Sequence, residues 1–271
     1  MGSFKLRGAG NAMAVAGAER LRDGVYTASA GNMAQGVAWC ARQMGVRATA
    51  IVPEHAPQAK LAALARLGGE VEKVPFDAWW QTLVDHGQPG RRGLFIHPVS
   101  DRDVMAGNGT IGLEILEDLP DVDAVLVPYG GGGLSCGIAS ALRGSGSRAR
   151  VMACEVETAA PLSAALTAGS PVATAYTPSF VDGIGGKSVL SEMWPLASRL
   201  LDGALVSALS DVAAAVRLLA ERAHVVAEGA GAAPVAAALS GRAGRGKVVC
   251  VVSGGNIDAA VLARILAGET P

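Results

Sequence analysis

The chain has 271 residues, enough for one large or two modest domains with real cores. Half of its residues are hydrophobic, 17% are charged and the formal net charge is −1, so electrostatics makes no case for nucleic acid or an anionic membrane as partner. Thirty-six glycines and few aromatics imply many tight turns and close backbone approaches, which suit an α/β enzyme better than a coiled coil or a repeat array.

In chain order, residues 9–22 read as a helix rich in Ala and Met, with Arg20 and Arg22 in its last turn. A short strand over 25–28 leads into the polar turn Ser29-Ala30-Gly31-Asn32, and a helix over 33–44 stops at Gly45. Strands over 47–52 and 71–74 enclose a helix over 57–67. A helix over 77–86 and a short strand over 93–97 complete the set. This rhythm of strand, helix and strand predicts right-handed βαβ units and a parallel sheet.

A second set begins with a helix over 107–117. The nearly all-apolar strand over 124–128 has the composition of a strand covered on both faces. It runs into Gly130-Gly131-Gly132-Gly133 and a helix over 134–143. A strand over 150–155 and a helix over 161–167 precede a Gly-, Pro- and Thr-rich irregular stretch over 169–188. Helices over 191–201, 210–224 and 230–239, a strand over 247–252, the turn Ser253-Gly254-Gly255-Asn256 and a helix ending at Leu266 close the chain. The pattern predicts two α/β lobes of mainly parallel sheets flanked by helices. The smaller spans 23–103; the larger spans 104–271 and takes in residues 1–22.

Lys5 and Arg7 ahead of a mild apolar run faintly resemble a secretion signal, but Gly10 and Asn11 break the run and it lacks a leucine-rich core. Pro128 and the four glycines break the apolar run near Val125, which excludes it as a membrane span. Cys40, Cys136, Cys154 and Cys250 form no CxxC pair and no metal-ligand spacing. They read as reduced core residues of a cytoplasmic protein.

The strongest local signal is the tetraglycine. A strand, then glycines, then a helix aims backbone N–H groups and a helix dipole at one spot, which makes an anion site, most naturally for a phosphate. The competing reading, a flexible glycine turn, leaves four entropically costly glycines without a reason. Neither GxxxxGK[ST] nor a Rossmann fingerprint is present. A phosphate site without a nucleotide pocket, together with Lys5 beside apolar neighbours, points to pyridoxal 5′-phosphate, because an amine in such surroundings can act as a nucleophile. Lys5 also has a plainer reading, as a solvated lysine near a chain end. The Ser29–Asn32 turn opens a helix and could hold a carboxylate, or could simply cap it. Ser253 follows an apolar strand, where its hydroxyl could meet a ring nitrogen or end a turn.

Five motifs occur in order: Ser3-Phe4-Lys5-Leu6-Arg7-Gly8-Ala9, Ser29-Ala30-Gly31-Asn32, Gly130-Gly131-Gly132-Gly133-Leu134, Glu228-Gly229-Ala230-Gly231-Ala232 and Ser253-Gly254-Gly255-Asn256. Together they resemble the threonine/serine dehydratase family of fold type II pyridoxal-phosphate enzymes, which includes serine racemase. The resemblance spans nearly the whole chain. It implies that Lys5 is the Schiff-base lysine and proton-transfer base, in a cleft between the lobes. Gly130, Gly131, Gly132, Gly133 and Leu134 would hold the cofactor phosphate. Asn32 would bond the ring's 3′-oxygen, Phe4 would pack near the ring and Ser253 would face its nitrogen. Ser29, Ala30, Gly31 and Asn32 would bind the carboxylate of a small amino-acid substrate. The implied activity is an ammonia-lyase that converts L-threonine or L-serine to a 2-oxo acid and ammonia. Racemization or β-replacement on the same fold is the near alternative, and an inactive cofactor-fold binding protein the distant one. A homodimer follows by analogy.

The chain also departs from that family. Met33 stands where histidine is usual and Asn108 where glutamine is common. Glu155 matches a position that binds a divalent cation together with an acidic residue six further on. Here that residue is Pro161, so no metal is expected. Of Trp79 and Trp80, one is expected in the core and the other at an interface or cleft rim. The four histidines carry no partner pattern and are expected to be structural or solvent-facing. Family members carry a further segment, with a strand and helices, ahead of the lysine motif. Its absence here reads as a misassigned start, a fragment or a genuine variant. With no regulatory domain after Leu266, the chain resembles the short, unregulated members.

Overall fold

The computed structural model describes residues 2–56 and 58–271, and for Ala59 the backbone alone. Backbone proximity divides the chain into two compact units, residues 1–108 and 109–271, with the division inside one helix.

The first unit contains α1 (Lys5–Leu21), β1 (Val25–Ala28), α2 (Asn32–Met44), β2 (Ala48–Pro53), α3 (Gln58–Arg66), β3 (Glu70–Val74), α4 (Phe76–Val84), β4 (Leu94–Phe95) and the start of α5 (Arg102–Asp118). Its sheet has the order β3-β2-β1-β4, and every neighbouring pair is parallel. The βαβ reading is therefore borne out. The expected helix start at Pro57 lies outside the described residues. Gly45 ends α2 in the left-handed region at φ 69°, which a side chain would resist. The core gathers Met13, Met33, Val37, Leu64, Ile96 and Val104.

α1 differs from expectation in two ways. It starts at Lys5 rather than at residue 9, and Gly17 (φ 72°, ψ 168°) breaks it before its end. Gly8 and Gly10 look like breakers in a sequence, but here they are packing positions. A Cβ on Gly8 would stand 2.7 Å from Val104 Cγ1 and 2.8 Å from the Val104 carbonyl oxygen on α5. The Asn11 amide donates to the Asp103 carbonyl at 2.7 Å, and the Cys40 thiol of α2 donates to the Leu6 carbonyl at 3.4 Å. Within the first unit, glycines let α1 come into backbone contact with α2 and the start of α5.

The second unit holds the rest of α5, β5 (Ala124–Pro128), α6 (Gly133–Gly144), β6 (Arg150–Val156), α7 (Pro161–Ala168), α8 (Trp194–Leu200), β7 (Gly203–Ser207), α9 (Leu209–Leu218), α10 (Gly229–Leu239), β8 (Val248–Cys250) and α11 (Ala259–Leu266). Its parallel sheet has the order β7-β6-β5-β8. β5 is buried at all five positions, as its apolar run predicted. β7 was not anticipated. It is a half-exposed edge strand with small residues, and such a strand has weak alternation. The helix expected over 210–224 ends at Leu218 and gives way to a π-helical turn, Leu219–Ala223, closed by His224 at φ 56°. Trp79 is half-buried and Trp80 is 46% exposed. No helix among the described residues is long and apolar enough to cross a membrane.

The tightest approach between α2 and α1 is at Gly36, where a Cβ would meet Lys5 carbonyl carbon, Lys5 oxygen and Leu6 nitrogen at 3.0, 3.1 and 3.2 Å. Gly36→Ala gains about 1 kcal/mol of helix propensity. It loses about 1–3 kcal/mol to overpacking, because all three neighbours are backbone and none can rotate away. The net expectation is a less stable protein, read as a lower urea midpoint at unchanged m-value.

Candidate active site

Lys5 opens α1, and Phe4 at the cap position makes no side-chain capping bond. The Lys5 ammonium donates to the Pro98 carbonyl at 2.9 Å and lies 5.1 Å from the centre of the Phe4 ring. It is half-buried. Within the first unit its position is set by the glycine contacts of α1 and by this bond across 93 residues of chain.

The Ser29–Asn32 turn sits at the carboxyl end of β1, where open α/β sheets take their ligands. The Ser29 hydroxyl accepts the Gly31 N–H at 3.2 Å, and Gly31 itself is the cap residue of α2. Gly31, as the cap residue of this 13-residue helix, brings no side chain of its own to cap it. Asn32 lies one turn before Gly36, the residue that touches Lys5, so α2 carries both on the same face. Met33, in place of the family's histidine, is 2% exposed and packs into the core of the first unit.

In the second unit, β5 ends at Pro128 and the chain turns through Gly130–Gly132 into α6. Gly132 is the cap at φ 96°, and a Cβ there would meet the Tyr129 ring at 3.2 Å, so both backbone and space require glycine. Gly132 brings no side chain to cap α6, so the helix dipole and first-turn donors begin directly at this glycine turn. This donor set suits a phosphate. Gly130 faces the backbone of Gly183 and Ile184, with a Cβ position 3.5 Å from Ile184 Cα. Gly183 in turn abuts Ala230 and the Glu228 carboxylate. Ser253 is 6% exposed just beyond β8. A Cβ on Gly231 would lie 2.6 Å from the Gly254 carbonyl oxygen, and Glu228 N–H donates to that oxygen at 2.9 Å. The tetraglycine, the Gly183–Gly185 turn, the start of α10 and the Ser253 turn therefore form one chain of contacts at the carboxyl ends of β5 and β8. The Gly183–Gly185 turn was read only as irregular loop, since nothing in its composition marks it as part of a site.

Two buried groups lie nearby that pattern reading did not place. Tyr129 is fully buried, its hydroxyl has no partner among the described residues, and burial pushes its pKa above the usual range. Glu155 is fully buried. Its two carboxylate oxygens each accept one N–H at the start of α7, from Leu162 and Ser163, both at 2.8 Å. Burial raises its pKa to about 7 against the opposing pull of those two bonds. The four cysteines are free thiols, and burial raises Cys40 and Cys136 to about 11.

An α/β scaffold with a glycine phosphate cradle at a strand end and a fixed lysine amine defines a class of cofactor enzymes. Comparison with known proteins agrees: residues 1–254 match the family described as "Pyridoxal-phosphate dependent enzyme". The chain belongs to that family, whose cofactor is pyridoxal phosphate. It is 45% identical over 263 residues to an L-threonine ammonia-lyase of Geobacter sulfurreducens, covering 95% of this chain and 65% of that protein. It thus spans just under two thirds of that relative's length. The processed form of threonine deaminase isoform 2 from Solanum lycopersicum superposes with a TM-score of 0.87 at 31% identity, covering 100% of this chain and 80% of that one. Maize serine racemase superposes at 0.86 with 29% identity, covering 98% and 83%.

The buried Glu155 makes stability depend on pH. Its pKa is about 7 in the folded state and near 4.5 when unfolded, so between those values the folded state binds the extra proton. Its contribution is fully present below about pH 4.5 and is lost as pH rises through 7. In Glu155→Gln this dependence disappears. The difference in melting temperature between the two proteins should therefore move in the variant's favour from pH 5 to pH 8 in differential scanning calorimetry.

Proposed function

We propose that the chain is a pyridoxal-phosphate-dependent ammonia-lyase that converts L-threonine, L-serine or both to a 2-oxo acid and ammonia by α,β-elimination. The observation that carries this reading is the 45% identity, across 95% of the chain, to a protein named L-threonine ammonia-lyase. Lys5 beside α2 in the first unit and, separately, the glycine cap of α6 in the second support it.

The cofactor, when bound, supplies an aldehyde that condenses with amines and a ring that takes up the electron pair left at the substrate's α-carbon. The chain's own residues supply the rest. Gly130 to Gly133 and the Leu134 amide would hold the phosphate with backbone N–H groups. Phe4 would pack beside the ring, Asn32 would bond its 3′-oxygen and Ser253 would face its nitrogen. A serine hydroxyl cannot pair with a ring nitrogen as a carboxylate would. Charge at the α-carbon is therefore less fully withdrawn, and loss of a β-hydroxyl competes well. Ser29, Ala30, Gly31 and Asn32 would hold the substrate carboxylate, partly with backbone N–H groups at the start of α2. The Lys5 amine takes the α-proton and becomes an ammonium.

Serine racemization is the second reading, favoured by the superposition with maize serine racemase. A cofactor-binding protein without turnover is the third. The same reading takes the chain to be cytoplasmic, which its four free thiols support, and homodimeric, as the sequence resemblance implies.

Purified protein should absorb at about 410–420 nm, the usual range for a lysine-bound cofactor, and Lys5→Ala should lose that band together with all 2-oxo acid production. Turnover that yields D-serine without pyruvate selects the racemase. Cofactor binding with no product from threonine or serine sinks the lyase. Gly132→Ala should weaken cofactor affinity by about tenfold or more, in a titration followed by tryptophan fluorescence, because a side chain at φ 96° is strained and would press on Tyr129.

A further inference from the structure

His97, expected to be structural or solvent-facing, is 3% exposed. Its Nδ1 accepts the Val99 N–H at 3.1 Å and the Ser100 N–H at 2.8 Å, and the Ser100 hydroxyl lies 2.9 Å away. A nitrogen that accepts two backbone N–H groups carries no proton, so the ring's proton sits on Nε2. The ring itself is clamped. His86 stacks on it at 4.4 Å and 14°, and Phe95 meets it edge-on at 5.9 Å.

The Val99 N–H and the Pro98 carbonyl belong to one planar peptide unit and point in opposite directions. Whatever holds the N–H therefore aims the carbonyl. Proline has already fixed its own φ and restricts the residue before it, so the orientation of this peptide plane is the main freedom left to the turn. The carbonyl so aimed is the one that accepts the Lys5 ammonium at 2.9 Å.

We propose that His97 is a positioning residue for Lys5: by holding the Val99 and Ser100 N–H groups it presents the Pro98 carbonyl as the acceptor of the Lys5 ammonium whenever the amine is free and protonated. This rests on the reading of Lys5 as the proton-transfer base. In that role the substrate's α C–H bond breaks, its electron pair stays with the substrate, and an N–H bond forms on Lys5. The new N–H then has an acceptor in place, so the amine need not reorganise as it gains charge. The Phe4 ring, 5.1 Å from Nζ, favours the same charged form. His97 acts here as a fixed acceptor and exchanges no proton with substrate.

Two variants separate this role from acid–base chemistry. His97→Phe keeps the aromatic volume and the stack but has no acceptor. His97→Asn loses the ring but keeps an oxygen that can accept N–H groups two and three residues on, as in an Asx-turn. In the full chain stripped of cofactor, Lys5 is trace-acetylated and quantified by mass spectrometry against Lys60, Lys73, Lys187 and Lys247. Acetylation of Lys5 should rise about three- to tenfold in His97→Phe and return to within about twofold of the parent in His97→Asn. With cofactor restored, kcat should fall about ten- to a hundredfold in the Phe variant with KM little changed, and recover in the Asn variant. Unchanged Lys5 labelling in a folded His97→Phe protein overturns the proposal. So does a folded His97→Asn protein with Phe-like labelling and turnover, since the imidazole would then be needed for its own chemistry. If His97→Phe does not fold, parent-like labelling of Lys5 in His97→Asn decides for the proposal and altered labelling against it. Turnover surviving in Lys5→Ala would sink the reading of Lys5 alone, and the labelling ratios would still report whether His97 aims the Pro98 carbonyl.

Discussion

The backbone of α1 lies directly on its neighbours, and this contact determines where the Lys5 amine is. Gly8 meets Val104 on α5, Gly36 of α2 meets the backbone of Lys5 and Leu6, and Gly107 meets the Arg7 carbonyl. A methyl group at any of these positions would run into backbone or a buried side chain, and packed interiors have no slack to absorb it. Helix glycines cost about 1 kcal/mol each in propensity. They are tolerated because the closeness they permit turns a flexible lysine at the front of a helix into one with a defined position. The Pro98 carbonyl, more than ninety residues away in sequence, then completes its surroundings.

The second unit relies on the same device at a different place. Gly130, Gly132, Gly183 and Gly231 bring three turns and the start of α10 together at the carboxyl ends of β5 and β8. α2 and α6 both begin at glycine caps that have no capping side chain. A helix N-terminus of this kind suits an anion, and each unit has one. Glu155 shows the opposite use of a helix N-terminus, since its carboxylate is itself the anion at the start of α7.

The elements with strong local signals were legible in the sequence. β5 is a five-residue apolar run that stops at glycines, α2 ends at Gly45, and the alternation of strands and helices in the first unit dictated a parallel sheet. β7 was not legible, because it is a short edge strand whose two buried positions, Leu205 and Ser207, pair an apolar with a polar residue and so leave no apolar alternation in the sequence. The start of α1 was missed because Gly8 and Gly10 count against a helix when scored alone and count for it once α5 and α2 are present. Motif order exposed Lys5, Asn32, the tetraglycine and Ser253. The Gly183–Gly185 turn, Tyr129 and His97 lie outside those motifs, and each acquires meaning only from a neighbour distant in sequence.

By itself the sequence determined the class of fold, the family and the residues able to carry an amine, a phosphate cradle and a carboxylate turn. These follow from local periodicity, from glycine's backbone freedom and from five motifs in order. Tertiary structure alone decided that α1 comes into backbone contact with α2 and the start of α5, that Met33 is a core residue rather than a polar neighbour of the turn, and that a carbonyl fixed by His97 receives the Lys5 ammonium. The reason is physical. Periodicity and capping act over a few residues and leave their trace in the local sequence. Close backbone approach and the aiming of one peptide plane depend on contacts between segments far apart in the chain, which no local pattern records.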